Sequence, residues 1–324
     1  MEDTIGVDTC ANDIAVIGMA ANFAKAKNIY EYWNNLIVGR DLVSDCPETR
    51  KKDIDDYLDF CGIPEEKRKY RMASYLDHID YFDYEFFHIS PKEARLMDPY
   101  QRLLLQTLYN TIEDSGYGME YFASKRVGIY TGFPTEYTSK VYQNILIETN
   151  PNLANDSFSG NLVAMFPARL AYFLDLHGPA YVIDTSCSSS LSAVHLACQG
   201  IRTNDCEMAI ANGINLFTIP LLNEIVGAIG ILSPDGRAKT FDDSCEGVGQ
   251  GEGVGAILLK PLQKAIQDRD HIYAVIKSSA VNQDGKSIGI TAPNAKAQEA
   301  VIMEAWERAN IDPTTVSYIE AHGT

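Results

Sequence analysis

Residues 179–202 read PAYVIDTSCSSSLSAVHLACQGIR. PAYVID is an apolar strand pattern, and the run from Ser189 to Arg202 carries apolar residues at helical spacing. Only Thr185 to Ser188 separate the two, so a strand turns almost directly into a helix. Cys187 lies in that turn, followed at once by three serines. A helix N-terminus carries unpaired N–H groups and a partial positive charge. Both stabilise a thiolate, and the same N–H groups can hold a developing oxyanion. A free cysteine is equally at home as a small buried hydrophobe. Local context alone leaves both readings open.

Working outward, the same alternation recurs. DIAVIGMAANF opens with a buried-strand pattern, Ile14 to Ile17, and breaks at Gly18; IYEYWNNLIVGRD follows as a helix ending at Gly39, a natural left-handed cap. SPKE and DPYQ mark two helix starts, with Ser90 and Asp98 as N-caps and Pro91 and Pro99 in the first turn. The second helix carries Leu104, Leu105, Leu108 and Ile112 and stops near Gly116. RVGIYTG reads as a strand, and SGNLVAMFPARLAYFLDLHG as one buried helix with an irregularity at Pro167.

Further on, CEMAIANGINL, GVGAILLKPL, HIYAVIKSSAVNQDG and VSYIEAHGT read as strands. NAKAQEAVIMEAWERAN reads as an amphipathic helix with Ala297, Ala300, Val301, Glu304 and Ala305 near one side. Alternating strands and helices predict an α/β protein with largely parallel strands. A break near Lys260 to Asp270 divides it into residues 13–265 and 266–324, after a tail of residues 1–12. The second part is short. A parallel sheet needs both faces covered, so the expectation is that these residues are a piece of a longer protein.

Composition narrows the function. With 46% hydrophobic and 22% charged residues, the chain suits a soluble domain with a real core. No apolar run reaches the roughly 20 residues a membrane helix needs, and the acidic start MEDTIGVDTCAND lacks a secretory pattern. A net charge of −17 repels phosphate backbones and excludes nucleic acid as a natural partner. The one dense basic stretch, EEKRKYR at 65–71, reads as a solvated face, with a landing patch for an acidic partner as the sharper alternative. Seven irregularly spaced cysteines, with no C-x-x-C, argue against a disulfide framework and a structural zinc site; a reducing cytoplasm fits best. Apart from Cys187, they read as core.

His322 in YIEAHGT follows an apolar strand, at the kind of carboxyl end where ligands gather in open α/β sheets. An ordinary turn histidine fits the position as well. His195, two turns into the Cys187 helix, reads as packed. GVGQGEGVGA loosely fits a dinucleotide loop, but a strand follows where a helix N-terminus is required. Its glycines read instead as permitting tight turns and close backbone packing. A Cys and a distant His suit papain-type peptidases too, yet the local signature C-G-S-C-W is missing. DTSCSSS is not a G-x-S-x-G elbow either.

Taken in order, DIAVIGMAANF, DPYQRLLLQTLYNTIEDSGY, DTSCSSSLSAVHLA, ILSPDGRAKTFD, GVGQGEGVGAILLK, SSAVNQDGKSIGITAPN and YIEAHGT resemble a β-ketoacyl synthase, more narrowly the ketosynthase domain of modular polyketide synthases. The resemblance runs from Ile14 to Thr324. It implies a thiolase-like fold, two α/β halves stacked in five layers, with the second incomplete here, and a homodimer. It implies that Cys187 accepts an acyl chain from the phosphopantetheine of an acyl carrier protein. A malonyl-type extender then loses CO2 and condenses with the thioester to give a β-ketoacyl carrier. By the same resemblance His322 matches the first of two catalytic histidines, Thr324 contacts the pantetheine arm, and the domain itself binds no cofactor. Neighbouring polyketide synthase domains are implied partners. A lysine and a second histidine of the family pattern would fall beyond Thr324, so residues 1–324 alone are expected not to condense. Tyr100 and Gln250 are small departures. Cys187 is not the glutamine of decarboxylating loading domains, and His322 is present, unlike in some non-elongating relatives; both favour an elongating ketosynthase, with a non-elongating acyl relay or an inert dimerisation and carrier-docking scaffold as the alternatives.

Overall fold

The computed structural model describes residues 12–68, 70–134, 140–218, 230–290 and 292–323. Six strands form one sheet: β1 (Ile14–Phe23), β2 (Val127–Gly132), β3 (Ala180–Ile183), β4 (Met208–Asn215), β5 (Gly253–Pro261) and β6 (Ala274–Ile276), in the order β3-β2-β4-β5-β1-β6. The helices used below are α1 (Ile29–Ile37), α2 (Glu48–Phe60), α3 (Pro91–Leu96), α4 (Pro99–Asp114), α5 (Val141–Thr149), α6 (Met165–Leu174), α7 (Ser189–Arg202), α8 (Leu262–Asp268) and α9 (Ala295–Ala309).

The sheet is mixed where the sequence suggested largely parallel strands. β2 runs parallel to β3 and β4, whereas β5 is antiparallel to β4 and β1, and β1 to β6. The antiparallel part arises because the chain returns from β4 through a long connection to fill the slot between β4 and β1.

Side chains alternate between the two faces. Ala15, Ile17, Ile129, Ile210 and Leu258 pack on one side with the leucines of α4; Ile14, Val16, Ala209, Ala211 and Leu259 pack on the other with Ala193, Ala197 and Cys198 of α7. The sheet is therefore covered by α4 and α6 on one face and by α7 on the other. Both strand faces are apolar for this reason, and the strands read as continuous hydrophobic runs.

Gly18 does not end β1. The strand continues to Phe23, with a register shift between Val16 and Gly18. The glycine is needed because α4 crosses closely there: a Cβ would lie 2.5 Å from the Thr111 carbonyl oxygen. A side-chain-free residue at a bulge mimics a strand end in the sequence.

The caps form as expected, in part. Ser90 accepts from the Glu93 N–H and Asp98 from the Tyr100 N–H. The carboxylate of Glu93 bonds to Arg169 of α6 at 2.9 Å. After α1, Gly39 adopts φ +62° and donates to the Leu36 carbonyl while Arg40 donates to that of Asn35, closing a Schellman turn.

Other readings need correction. Residues 158–174 form a one-turn helix, Phe158–Asn161, then α6, with Pro167 in the first turn of α6. A proline is tolerated there because the N–H it lacks has no intrahelical partner in any case. The apolar PAYVID does form a strand, but β3 lies at the edge of the described sheet with Ala180 and Tyr181 exposed. In HIYAVIKSSAVNQDG only Ala274–Ile276 pair, and they pair with β1 of the same sheet. VSYIEAHGT forms no strand: a short 3-10 turn, Pro313–Thr315, leads into an unpaired segment in which Tyr318 and Ile319 are exposed. The half-buried side of α9 includes Ala297, Val301, Glu304 and Ala305, while Ala300 is exposed.

Within the basic stretch at 65–71, of which Lys69 lies outside the described residues, one cation is satisfied internally. Arg68 pairs with Asp55 and Asp59 of α2 and donates to the Ile63 carbonyl. Cys46, Cys198 and Cys206 are buried as read, but Cys61 and Cys245 are exposed. No described helix is long and apolar enough to cross a membrane.

Candidate active site

Cys187 sits in a single 3-10 turn, Ser186–Ser188, between β3 and α7, and is exposed. Ser186 adopts φ +56°, a left-handed backbone that costs an ordinary residue roughly 1–2 kcal/mol. Its N–H is held by the Asp184 carboxylate at 3.0 Å. The hydroxyls turn back into the loop and do not cap the helix. Ser188 donates to the Thr185 carbonyl at 2.8 Å and to its hydroxyl at 2.9 Å. Ser189 donates to the Ser186 carbonyl at 2.7 Å and accepts from the Thr185 N–H at 2.9 Å. Ser188, the N-cap of α7, makes no side-chain cap bond. The serines thus brace the turn and leave the positive end of α7 open beside the thiol.

Two glycines bring that helix end down onto the sheet. A Cβ on Gly132 would lie 2.7 Å from the Ser189 carbonyl carbon and the Ser190 nitrogen; one on Gly213 would lie 2.7 Å from the Ser190 Cβ. They are register partners on β2 and β4, and Gly255 of β5 continues the row. Sequence reading passed over them. The visible signal was the pair of strand-terminal glycines in YTG and ANG.

The ends of β2, β3 and β4 that lead to this turn share one edge of the sheet with the start of β5. The loop before β5 packs there through its glycines. Gly247 adopts φ +140°, and a Cβ on it would meet the Leu232 carbonyl carbon at 2.7 Å; one on Gly249 would meet the Gly236 oxygen at 2.4 Å. Within the same stretch, Glu252 is buried and holds three elements. It pairs with Arg50 of α2 at 2.5 Å and accepts from the N–H groups of Leu76 at 2.9 Å and Phe217 at 2.7 Å. Tyr100, the departure in DPYQR, donates its hydroxyl to the Leu216 carbonyl at 2.5 Å and accepts from the Leu216 N–H at 3.0 Å. It thereby ties the start of α4 to the end of β4. Both residues lock distant segments together, Glu252 the start of β5 and Tyr100 the end of β4, and no local sequence pattern marks either.

His322 is exposed in the segment after the last 3-10 turn. Its neighbour Gly323 has φ +72° and accepts from the Thr240 hydroxyl at 2.6 Å, so the segment docks on the loop that precedes β5. No hydrogen bond joins His322 to Cys187 among the described residues. Thr324 lies outside them. His195 is buried, with Nδ1 2.8 Å from the Ser279 hydroxyl; burial, then Arg308 and Arg202, push its pKa down. It is a packed residue and no partner of Cys187.

Two family profiles cover this architecture: "Beta-ketoacyl synthase, N-terminal domain" over residues 11–265 and "Beta-ketoacyl synthase, C-terminal domain" over 273–324. The chain belongs to the β-ketoacyl synthase family. It is 43% identical over 321 residues to the polyketide synthase PksM of Bacillus subtilis and 39% identical over 321 residues to the 6-methylsalicylic acid synthase of Aspergillus terreus. These matches cover 96% and 97% of this ketosynthase chain but only 7% and 17% of those proteins. Among solved structures, the ketosynthase from module 6 of the bacillaene synthase of Bacillus subtilis superposes with TM-score 0.82 at 39% identity. The Streptomyces albus oxazolomycin ketosynthase OzmH KS7 superposes with TM-score 0.85 at 35% identity. Both matches cover 96% of this chain and 51% and 55% of theirs. The chain therefore has the thiolase-like fold of the ketosynthases, a family of acyl-condensing transferases, and spans about half the length of those solved chains.

Proposed function

We propose that Cys187 is the acyl-accepting nucleophile of an elongating polyketide ketosynthase. The observation that carries this reading is the exposed thiol on a braced, strained turn at the open N-terminus of α7. The thiolate attacks the thioester of an acyl-phosphopantetheine carrier, forming the acyl-Cys187 thioester and releasing the pantetheine thiol. A malonyl-type extender on a second carrier loses CO2, and its carbanion attacks the Cys187 thioester. A β-ketoacyl carrier forms and the Cys187 thiolate leaves. The N–H groups at the start of α7 suit the oxyanion of the first step. His322 assists decarboxylation or stabilises the enolate oxygen, and Thr324 contacts the pantetheine arm.

The partners in this reading are an acyl carrier protein, a second copy of the chain as a homodimer, and adjoining polyketide synthase domains, in the cytoplasm. No cofactor is bound by the domain; the substrate arrives on phosphopantetheine. Residues 13–265 form the first half and 266–324 the start of the second. The test is intact-mass spectrometry after incubation with an acyl-pantetheine thioester. One acyl adduct is expected, mapping to Cys187 and abolished by Cys187→Ala. An adduct without condensation in the full-length protein would favour an acyl relay; no adduct there would favour a scaffold and refute the reading.

A further inference from the structure

On the sheet face opposite α7, residues of α2, α4 and α5 line a cavity of about 470 Å³, within the range of roughly 300–1,000 Å³ that holds small molecules. Ile54, Ile79, Pro99 and Ile145 give it apolar walls. Arg50, Arg95 and Arg102 give it cations, and a neighbouring cavity of about 840 Å³ shares Arg95 and Arg102. Neither Cys187 nor His322 lines either one.

The charges around it are unevenly matched. Arg50 is neutralised by Glu252. Arg102 donates one N–H to the Asp80 carbonyl at 3.2 Å, but its Nε is buried without a partner. Among the described residues, neither Arg102 nor Arg95 forms an ion pair. The lining carboxylate of Asp80 faces His78 at 3.6 Å, and that of Asp53 lies on the exposed side of α2. Asp98, one turn before Arg102, is spent on the cap of α4. Burial lowers the pKa of Arg102, with the charges of Tyr142, Asp98 and Asp80 opposing that shift. A buried guanidinium N–H with no hydrogen-bond partner is costly. In a chain of net charge −17, two arginines beside one cavity thus lack a carboxylate in direct contact among the described residues.

We propose that this cavity binds a small organic anion. Its carboxylate or phosphate head sits between Arg95 and Arg102, and its short apolar body lies against Ile54, Ile79 and Ile145. Guanidinium forks match such heads bidentately. The site is separate from the acyl site at Cys187.

Hexanoate tests it, with hexanol as the uncharged comparator, by calorimetric titration of the full chain. Saturable hexanoate binding is expected, with no saturable hexanol binding. Arg95→Gln, on an exposed side chain that leaves the fold intact, should weaken binding at least tenfold. Arg102→Gln should do the same where it folds, and Cys187→Ala should leave binding unchanged. Absence of saturable hexanoate binding, equal binding of hexanol, unchanged binding in Arg95→Gln, or loss in Cys187→Ala would each overturn the assignment.

Discussion

Replacing Gly132 by alanine tests how the thiol is positioned. The added methyl would lie 2.7 Å from the Ser189 carbonyl carbon and the Ser190 nitrogen and 2.8 Å from the Ser189 oxygen, where ordinary contact starts at 3.4 Å. All three are backbone atoms, so no side chain can swing away. The start of α7 must retreat by roughly 0.7 Å, and overpacking of this kind costs about 1–3 kcal/mol. The larger effect should be kinetic. Cys187 lies just before the displaced residues, and a misplacement near 1 Å can cost about a hundredfold in rate. Acylation of Cys187, followed as an intact-mass time course, should slow by roughly tenfold to a hundredfold, with the unfolding midpoint lower by a few degrees. Gly255→Ala is the matched control: it lies in the same row across the sheet, but its methyl would meet only the Phe23 ring at 3.6 Å and the Ala20 carbonyl oxygen at 4.0 Å, both ordinary contacts. Wild-type acylation and stability in Gly132→Ala, or equal damage from Gly255→Ala, would refute the reasoning.

Two further predictions concern buried charge. Burial pushes the Asp98 carboxyl up to about 7, against the opposing pull of the Tyr100 N–H and the Arg102 charge. A raised folded-state pKa stabilises fully below the unfolded value near 4 and loses that contribution as pH rises through 7. Asp98→Asn keeps a cap oxygen and removes the titration. Its stability relative to wild type, from urea unfolding, should therefore improve by about 4 kcal/mol between pH 4 and pH 8, three units at about 1.4 kcal/mol each; a constant difference would sink the idea. Glu252→Gln leaves the Arg50 guanidinium buried without its carboxylate and should cost about 3–5 kcal/mol. Arg50→Met on that background should recover a good part of the loss, and additive losses in the double-mutant cycle would show the pair is uncoupled.

The helices that bury a periodic face were legible because period and caps agree: α4, with Asp98 before it and Gly116 after it, is the plainest case. The strand-to-helix turn at Cys187 was legible from the change of period alone, since no side-chain cap marks the start of α7. Readings failed where tertiary contact decides. Gly18 looks like a strand end but accommodates the crossing of α4. Val316 to Ala321 have strand-like composition, yet a strand exists only with a ladder partner, and none of the described strands lies beside them. Glu252 and Tyr100 reach residues far away in the sequence, so no local pattern marks them.

The strand order has a consequence for how the chain acquires this fold. β1 is made before the other five strands, yet the ladder between Ile14 and Pro261 cannot form until β5 has been made. Meanwhile β2, β3 and β4 can assemble around α7, because their pairings lie closer in sequence. The turn that carries Cys187 thus belongs to the part of lower contact order, and β5 later closes the sheet by slotting between β4 and β1. Such non-local pairing is slow and leaves apolar edges exposed in the interval. During synthesis, β1 and the β5-facing edge of β4 stay without their ladder partners until β5 is made.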